Sequence, residues 1–219
     1  MDAPAISTST RQDRRKAQTA GRILDAAERL FLSAGYEGTG VDRLAADADV
    51  SLGSIYGHFG GKEGVYAALI DRALELDQRY CDEGWATGQE AIGRLTGLSD
   101  GYLRFAREHP GHFRVFRFPP PDAPAGGPVA GATERVAARV RSEVDRMAGA
   151  IEEAIGAGLV RAVDPRQAAI FLWAAWDGMI AAHLLPANMG LAEREFESVL
   201  ELGREVLTLG LLAGSGEPT

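Results

Sequence analysis

The sequence predicts an all-α fold, with a small three-helix module at the N-terminus, residues 1–64, followed by a larger helical domain over 65–219. Three observations predict it. Apolar residues recur at helical spacing in one segment after another, the two-residue alternation of a half-buried strand is absent, and the segments are separated by short breaks bearing Gly or Pro. With 219 residues, 46% of them hydrophobic, the chain is long enough to bury a sizeable core.

The elements follow in order. Ile23, Ala27, Leu30, Phe31 and Ala34 mark one face of a first helix, which Gly35 stops. Its start has two readings: Ser9 and Gln12 have capping-box spacing, and Thr19 is also a suitable cap. Val41, Leu44, Ala45 and Ala48 form a short second stripe. Ser51 is then a good N-cap for a third helix holding Leu52, Ile55, Tyr56 and Phe59. From Lys62 the stripe Val65, Leu69, Ala73, Leu76 predicts a longer helix to about Asp82. Further helices are predicted over 89–108, 112–117, 132–157, 165–185 and 192–213, with the Pro/Gly-rich segment 118–128 as a mobile loop. No internal repeat is evident.

The opening residues lack an apolar signal core, and no apolar run is long enough for a membrane span, so a cytoplasmic protein with no membrane contact is expected. Cys81 has no partner for a disulfide or a zinc cluster and reads as a packing residue. No nucleophile–base motif, metal-ligand cluster or phosphate loop is present, so no catalytic residue, metal or cofactor is expected. The net charge of −8 speaks at first against nucleic acid, yet the first 64 residues are near neutral and the acidity lies beyond them. Arg11, Arg14, Arg15, Lys16 and Arg22 form a basic arm there, which by itself also fits a solvated tail.

Two short helices joined by Asp47-Ala48-Asp49-Val50-Ser51 have the form of a helix-turn-helix. In the second, small residues at Gly53, Ser54 and Gly57 permit close approach, Tyr56 and His58 supply polar tips, and Ile55 and Phe59 face inward. Lys62 stands at a helix start, where the macrodipole disfavours a cation. A phosphate docked there would explain it, and so would simple solvation.

The run Arg22-Ile23-Leu24-Asp25-Ala26-Ala27-Glu28-Arg29-Leu30-Phe31, with Gly35-Tyr36, Thr39, Val41, Leu44-Ala45, Val50-Ser51, Gly53, Ile55-Tyr56, His58-Phe59 and Lys62-Glu63, closely resembles the DNA-binding domain of TetR-family regulators. The resemblance implies that the helix from Ser51 to Phe59 enters the major groove. It places Thr39, Ser51, Leu52, Gly53, Ser54, Tyr56, Gly57, His58 and Lys62 at the DNA, mostly against phosphate. Gly40 stands where many relatives carry a capping Ser or Thr, and Asp49 where a turn glycine is usual. Gly is a tolerated cap and Asp enters the left-handed region more readily than most residues, so both departures fit the fold. The implied function is that of a transcriptional repressor, by family habit, released from its operator by a small molecule.

Beyond about residue 80 the resemblance weakens. Tyr102, Phe105, His109, Phe113, Phe116, Trp173, Trp176 and Asp177 are the candidate effector contacts, although core packing explains most aromatics equally well. Asp177 interrupts a nearly all-apolar helix and needs either a structural partner or a ligand. The expected partners are double-stranded palindromic operator DNA, a largely apolar small-molecule effector, and a second copy of the chain, met through the helices of 165–185 and 192–213. The rival readings are a helical small-molecule-binding protein and an enzyme, neither with a DNA function.

Overall fold

Helix follows helix: α1 (Arg11–Ala34), α2 (Val41–Asp47), α3 (Leu52–Phe59), α4 (Lys62–Thr87), α5 (Ala91–Glu108), α6 (Pro110–Arg117), α7 (Gly127–Gly156), α8 (Pro165–Leu184) and α9 (Glu193–Leu211). The computed structural model describes residues 11–118, 126–185 and 189–212, except the side chains of Phe116 and Thr208. Among them the only extended pairing is a single bridge between Val160 and Leu212. Ser9 and most of the expected loop at 118–128 lie outside the described residues. Thr19 falls inside α1 and caps nothing.

Two boundaries differ from the sequence reading for local reasons. Pro128 sits in the first turn of α7, where its fixed φ suits a helix and its missing N–H costs nothing, so the helix begins about one turn earlier than expected. α4 continues past Gly84 because that glycine serves a crossing and not a stop. A Cβ at Gly84 would lie 2.0 Å from the Gly97 carbonyl oxygen, and one at Gly101 would lie 2.3 Å from that of Tyr80. The second half of α4 therefore packs on α5 backbone against backbone.

The chain divides into two compact units, Met1–Ala73 with Val115–Glu134, and Leu74–Arg114 with Arg135–Thr219. The first thus reaches beyond the expected boundary at residue 64, because the opening half of α4 and the start of α7 belong to its core. Ile23, Ala26, Ala27, Leu30 and Phe31 of α1 are buried there with Leu44, Ile55, Val65, Tyr66 and Leu69. Phe31, Tyr36 and Tyr66 form a ring triangle with centroids 5.2–5.6 Å apart.

The second unit is a helical bundle. Cys81, Leu98, Val144, Met147, Ile151 and Ala169 make one core cluster, and Trp85, Tyr102, Leu172 and Trp173 pack around it half-buried. Burial pushes the Cys81 thiol well up, which keeps it protonated and inert, in keeping with a packing role.

Candidate nucleic-acid interface

The turn between α2 and α3 is built by local chemistry. Asp49 takes φ 51°, the one non-glycine described residue with positive φ, and the Val50 N–H donates to the Ala45 carbonyl at 3.0 Å. Ser51 caps α3 by accepting from the Ser54 N–H at 3.2 Å, and Gly60, at φ 75°, closes it with its N–H on the Tyr56 carbonyl. Gly40 caps α2 with no side-chain bond, as a glycine must.

These caps hold α3 with Ile55 fully buried and Phe59 half-buried, leaving the rest of its surface free. Leu52 is 42% exposed and Tyr56 56%, with Gly53, Gly57 and His58 exposed alongside and Ser54 partly so. The Tyr56 hydroxyl has no hydrogen-bond partner among the described residues. Nothing among the described residues claims the space beside the two glycines either: a Cβ at Gly57 would meet no atom within 4 Å, and one at Gly53 only the Ser51 Oγ at 3.8 Å. Glycine inside a helix costs about 1 kcal/mol relative to alanine, with no packing return here. Gly53→Ala should accordingly raise the stability of the free protein by about 0.5–1 kcal/mol. The same change should weaken operator binding, if a groove wall approaches that backbone. Thermal denaturation and a binding titration on one variant check both signs, and loss of stability would refute the packing argument.

Two expected DNA contacts are placed differently. Thr39 is fully buried, its hydroxyl donating to the Gly35 carbonyl at 2.8 Å, so its side chain belongs to the helix connection and leaves the candidate surface. Lys62 is held within the protein: Nζ donates to the Tyr36 carbonyl at 3.1 Å, lies 4.1 Å from the Tyr36 ring centroid and 4.0 Å from the Glu37 carboxylate. The cation at the start of α4 thus has an internal explanation, a tie to the end of the α1 connection, and phosphate is not needed to account for it. Lys62→Met should destabilise the free protein by about 1–2 kcal/mol, from a charged hydrogen bond and a partly exposed cation–π contact. Denaturant unfolding without DNA measures this, and an unchanged midpoint would contradict the tie.

All the candidate effector residues but Phe116, which belongs to the first unit, lie in the larger unit, where they separate into two groups. Phe105 and Phe113 are fully buried and pack with Tyr102 and His109 at ring-centroid distances of 5.7–6.3 Å. The Asp177 carboxylate is buried and accepts a 2.7 Å hydrogen bond from the Tyr102 hydroxyl, which supplies a structural partner for it. Trp173 packs against the Cys81 cluster, and the side chain of Phe116 lies outside the described ones. The Tyr80 phenol, hydrogen-bonded to the Glu108 carboxylate, is held above its ordinary pKa.

Trp176 lines a cavity of about 260 Å³ between α5, α7, α8 and α9. Its apolar walls include Leu95, Met147, Ile151, Leu172 and Leu207, with Thr96, Ser99 and the Asp100–Arg204 ion pair at 2.6 Å as polar groups. The sequence reading missed these walls, because aliphatic residues at helical spacing look the same whether they face a core or a cavity.

The N-terminal family model for bacterial regulatory proteins of the tetR family matches residues 23–69, and a tetracyclin repressor-like C-terminal domain matches 95–202. An uncharacterized HTH-type transcriptional regulator of Mycobacterium tuberculosis (strain H37Rv) is 33% identical over 125 residues, 57% of this chain and 61% of that protein. The match therefore spans less than two thirds of that relative. RutR of Escherichia coli O157:H7 is 23% identical over 182 residues, covering 80% of this chain and 79% of RutR. Among solved structures, the SmeT–triclosan complex aligns over 92% of this chain and 98% of its own at 26% identity, with a TM-score of 0.66. PfmR of Thermus thermophilus aligns with a TM-score of 0.67 at 19% identity, over 86% of this chain and 97% of its own. With both halves matched by models of one family and the helix-turn-helix geometry in place, the chain belongs to the TetR family of bacterial regulatory proteins.

Proposed function

We propose that this chain is a transcriptional repressor, not an enzyme, which binds a palindromic operator as a homodimer in the cytoplasm and leaves it when a largely apolar small molecule occupies the larger unit. The observation that carries the reading is the outward face of α3. A helix capped at both ends presents Leu52, Tyr56 and His58 beside two glycines that its own protein does not need. Ser54 and Gly57 complete that face, Ser51 orients it, and Lys62 acts chiefly by holding α4 in place.

Three further observations support the rest. Ile170 and Phe171 on α8 and Leu202, Val206 and Leu209 on α9 are 46–76% exposed, an apolar surface of the kind that a second subunit covers. The cavity beside Trp176 offers apolar walls with few polar groups, which suits an apolar effector; the Tyr102–Asp177 pair, the buried Phe105 and Phe113 and the half-buried His109 lie elsewhere in the same unit. Among the described residues no helix is long and apolar enough to cross a membrane.

Selection from random duplex DNA, followed by mobility shift with specific competitor, tests the DNA half. A single palindromic site is expected, and no selective duplex would favour a helical binding protein without DNA function. A compound screen by thermal shift then tests the effector half. A true effector should weaken operator binding by about 5- to 150-fold and be weakened by operator to the same degree. A compound bound equally well with and without saturating operator is not an effector.

A further inference from the structure

α1 is longer than its packing requires. Its buried face begins at Ile23, whereas residues 11–18 are all exposed and the next four bury little, so about three turns of helix stand clear of the core. The first two of those turns carry Arg11, Arg14, Arg15 and Lys16 against Asp13 alone. Arg11 has like charges three and four residues on, at Arg14 and Arg15, which costs an isolated helix a few tenths of a kcal/mol per pair and leaves the segment without a reason of its own to be basic.

The arginines are also aligned. At 3.6 residues per turn, Arg11, Arg15, Arg22 and Arg29 fall within about 40° of one another on α1. The two farther along the helix point to the α2–α3 turn: Arg22 reaches Asp49 at 3.6 Å, and Arg29 reaches Asp47 at 2.7 Å. That turn leads directly into Ser51 and the exposed face of α3. Arg11 and Arg15 continue the same line outward, but they and Arg14 make no ion pair among the described residues. The paired arginines are thus neutralised beside the turn, while Arg11, Arg14 and Arg15 keep their charge on the free extension, in a chain whose net charge is −8.

We infer that the first turns of α1 are a second DNA-binding element, in which Arg11, Arg14 and Arg15 grip the phosphate backbone flanking the half-site that α3 enters. The inference rests on the DNA-binding reading above and adds a surface to it. Charge complementarity selects the occupant: a row of unpaired guanidinium groups without interleaved aromatic or apolar residues fits a regular polyanion and offers no base readout. Its contribution should be insensitive to flanking sequence and strongly dependent on salt.

The test uses the full-length protein and its selected operator, as a duplex trimmed to the palindrome and as one extended by about ten base pairs, one helical turn, of arbitrary sequence on each side. Wild type should bind the extended duplex at least about tenfold more tightly at about 0.15 M salt, with a steeper dependence on salt. The triple variant Arg11→Gln, Arg14→Gln, Arg15→Gln should lose that advantage. Its log–log salt slope on the extended duplex should be shallower by about 3–5 units for a dimer, since each phosphate contact contributes about 0.9. Its affinity for the trimmed duplex and its melting temperature should stay as in wild type. Equal preference for the extended duplex in both proteins, or an unchanged slope, would overturn the inference while leaving operator binding by α3 intact. Failure of wild type to select any duplex would instead overturn the DNA-binding reading itself.

Discussion

Phe171→Glu combined with Val206→Glu should convert the proposed dimer to a monomer and lower operator affinity by about 100-fold or more. Both side chains are well exposed in the single chain, at 64% and 58%, so glutamates there are solvated in the monomer and cost its fold little. In a dimer the same carboxylates would be desolvated against an apolar partner without compensating charge, which opposes association strongly. A monomer then engages one half-site at a time and loses the high effective concentration that links the second recognition helix to the first. Sedimentation velocity at micromolar concentration reads the first effect and mobility shift the second. An unchanged dimer would remove α8 and α9 from the interface. Gly203→Arg, which the glycines of α9 suggest at first sight, is a poorer test. Even a Cβ at Gly203 would lie 3.2 Å from the Met179 Sδ of the same chain, so that variant perturbs α8–α9 packing before it reaches a partner.

Tyr56→Ala should weaken operator binding by about 30- to 150-fold without loss of stability. The side chain is 56% exposed and its hydroxyl is free to donate, so truncation removes little from the folded monomer. One hydrogen bond to phosphate is worth about 1–1.5 kcal/mol. A symmetric dimer loses it twice, which gives about 2–3 kcal/mol and the range stated. Tyr56→Phe separates the hydroxyl from the ring: if the hydroxyl carries the contact, Phe should bind nearly as poorly as Ala. Wild-type affinity in both variants would take Tyr56 out of the interface.

Local chemistry is what the sequence determined unaided. The positions of the helices, the Ser51 cap, the left-handed Asp49 and the inward pair Ile55 and Phe59 all depend on residues within about one turn of each other, and backbone hydrogen bonding and apolar periodicity act over that range. The exposed face of α3 was legible for the same reason. Tertiary structure alone decided which side chains meet across the bundle. Thr39 went inward to the Gly35 carbonyl, Lys62 reached the Tyr36 carbonyl 26 residues away, and Asp177 found Tyr102 at a separation of 75. The cavity beside Trp176 and the outward turn of Val206 belong here too. Such pairings follow from how helices cross, and crossing is set by packing many side chains at once, as where Gly84 lets α4 and α5 touch backbone to backbone, so no single stretch of residues encodes them.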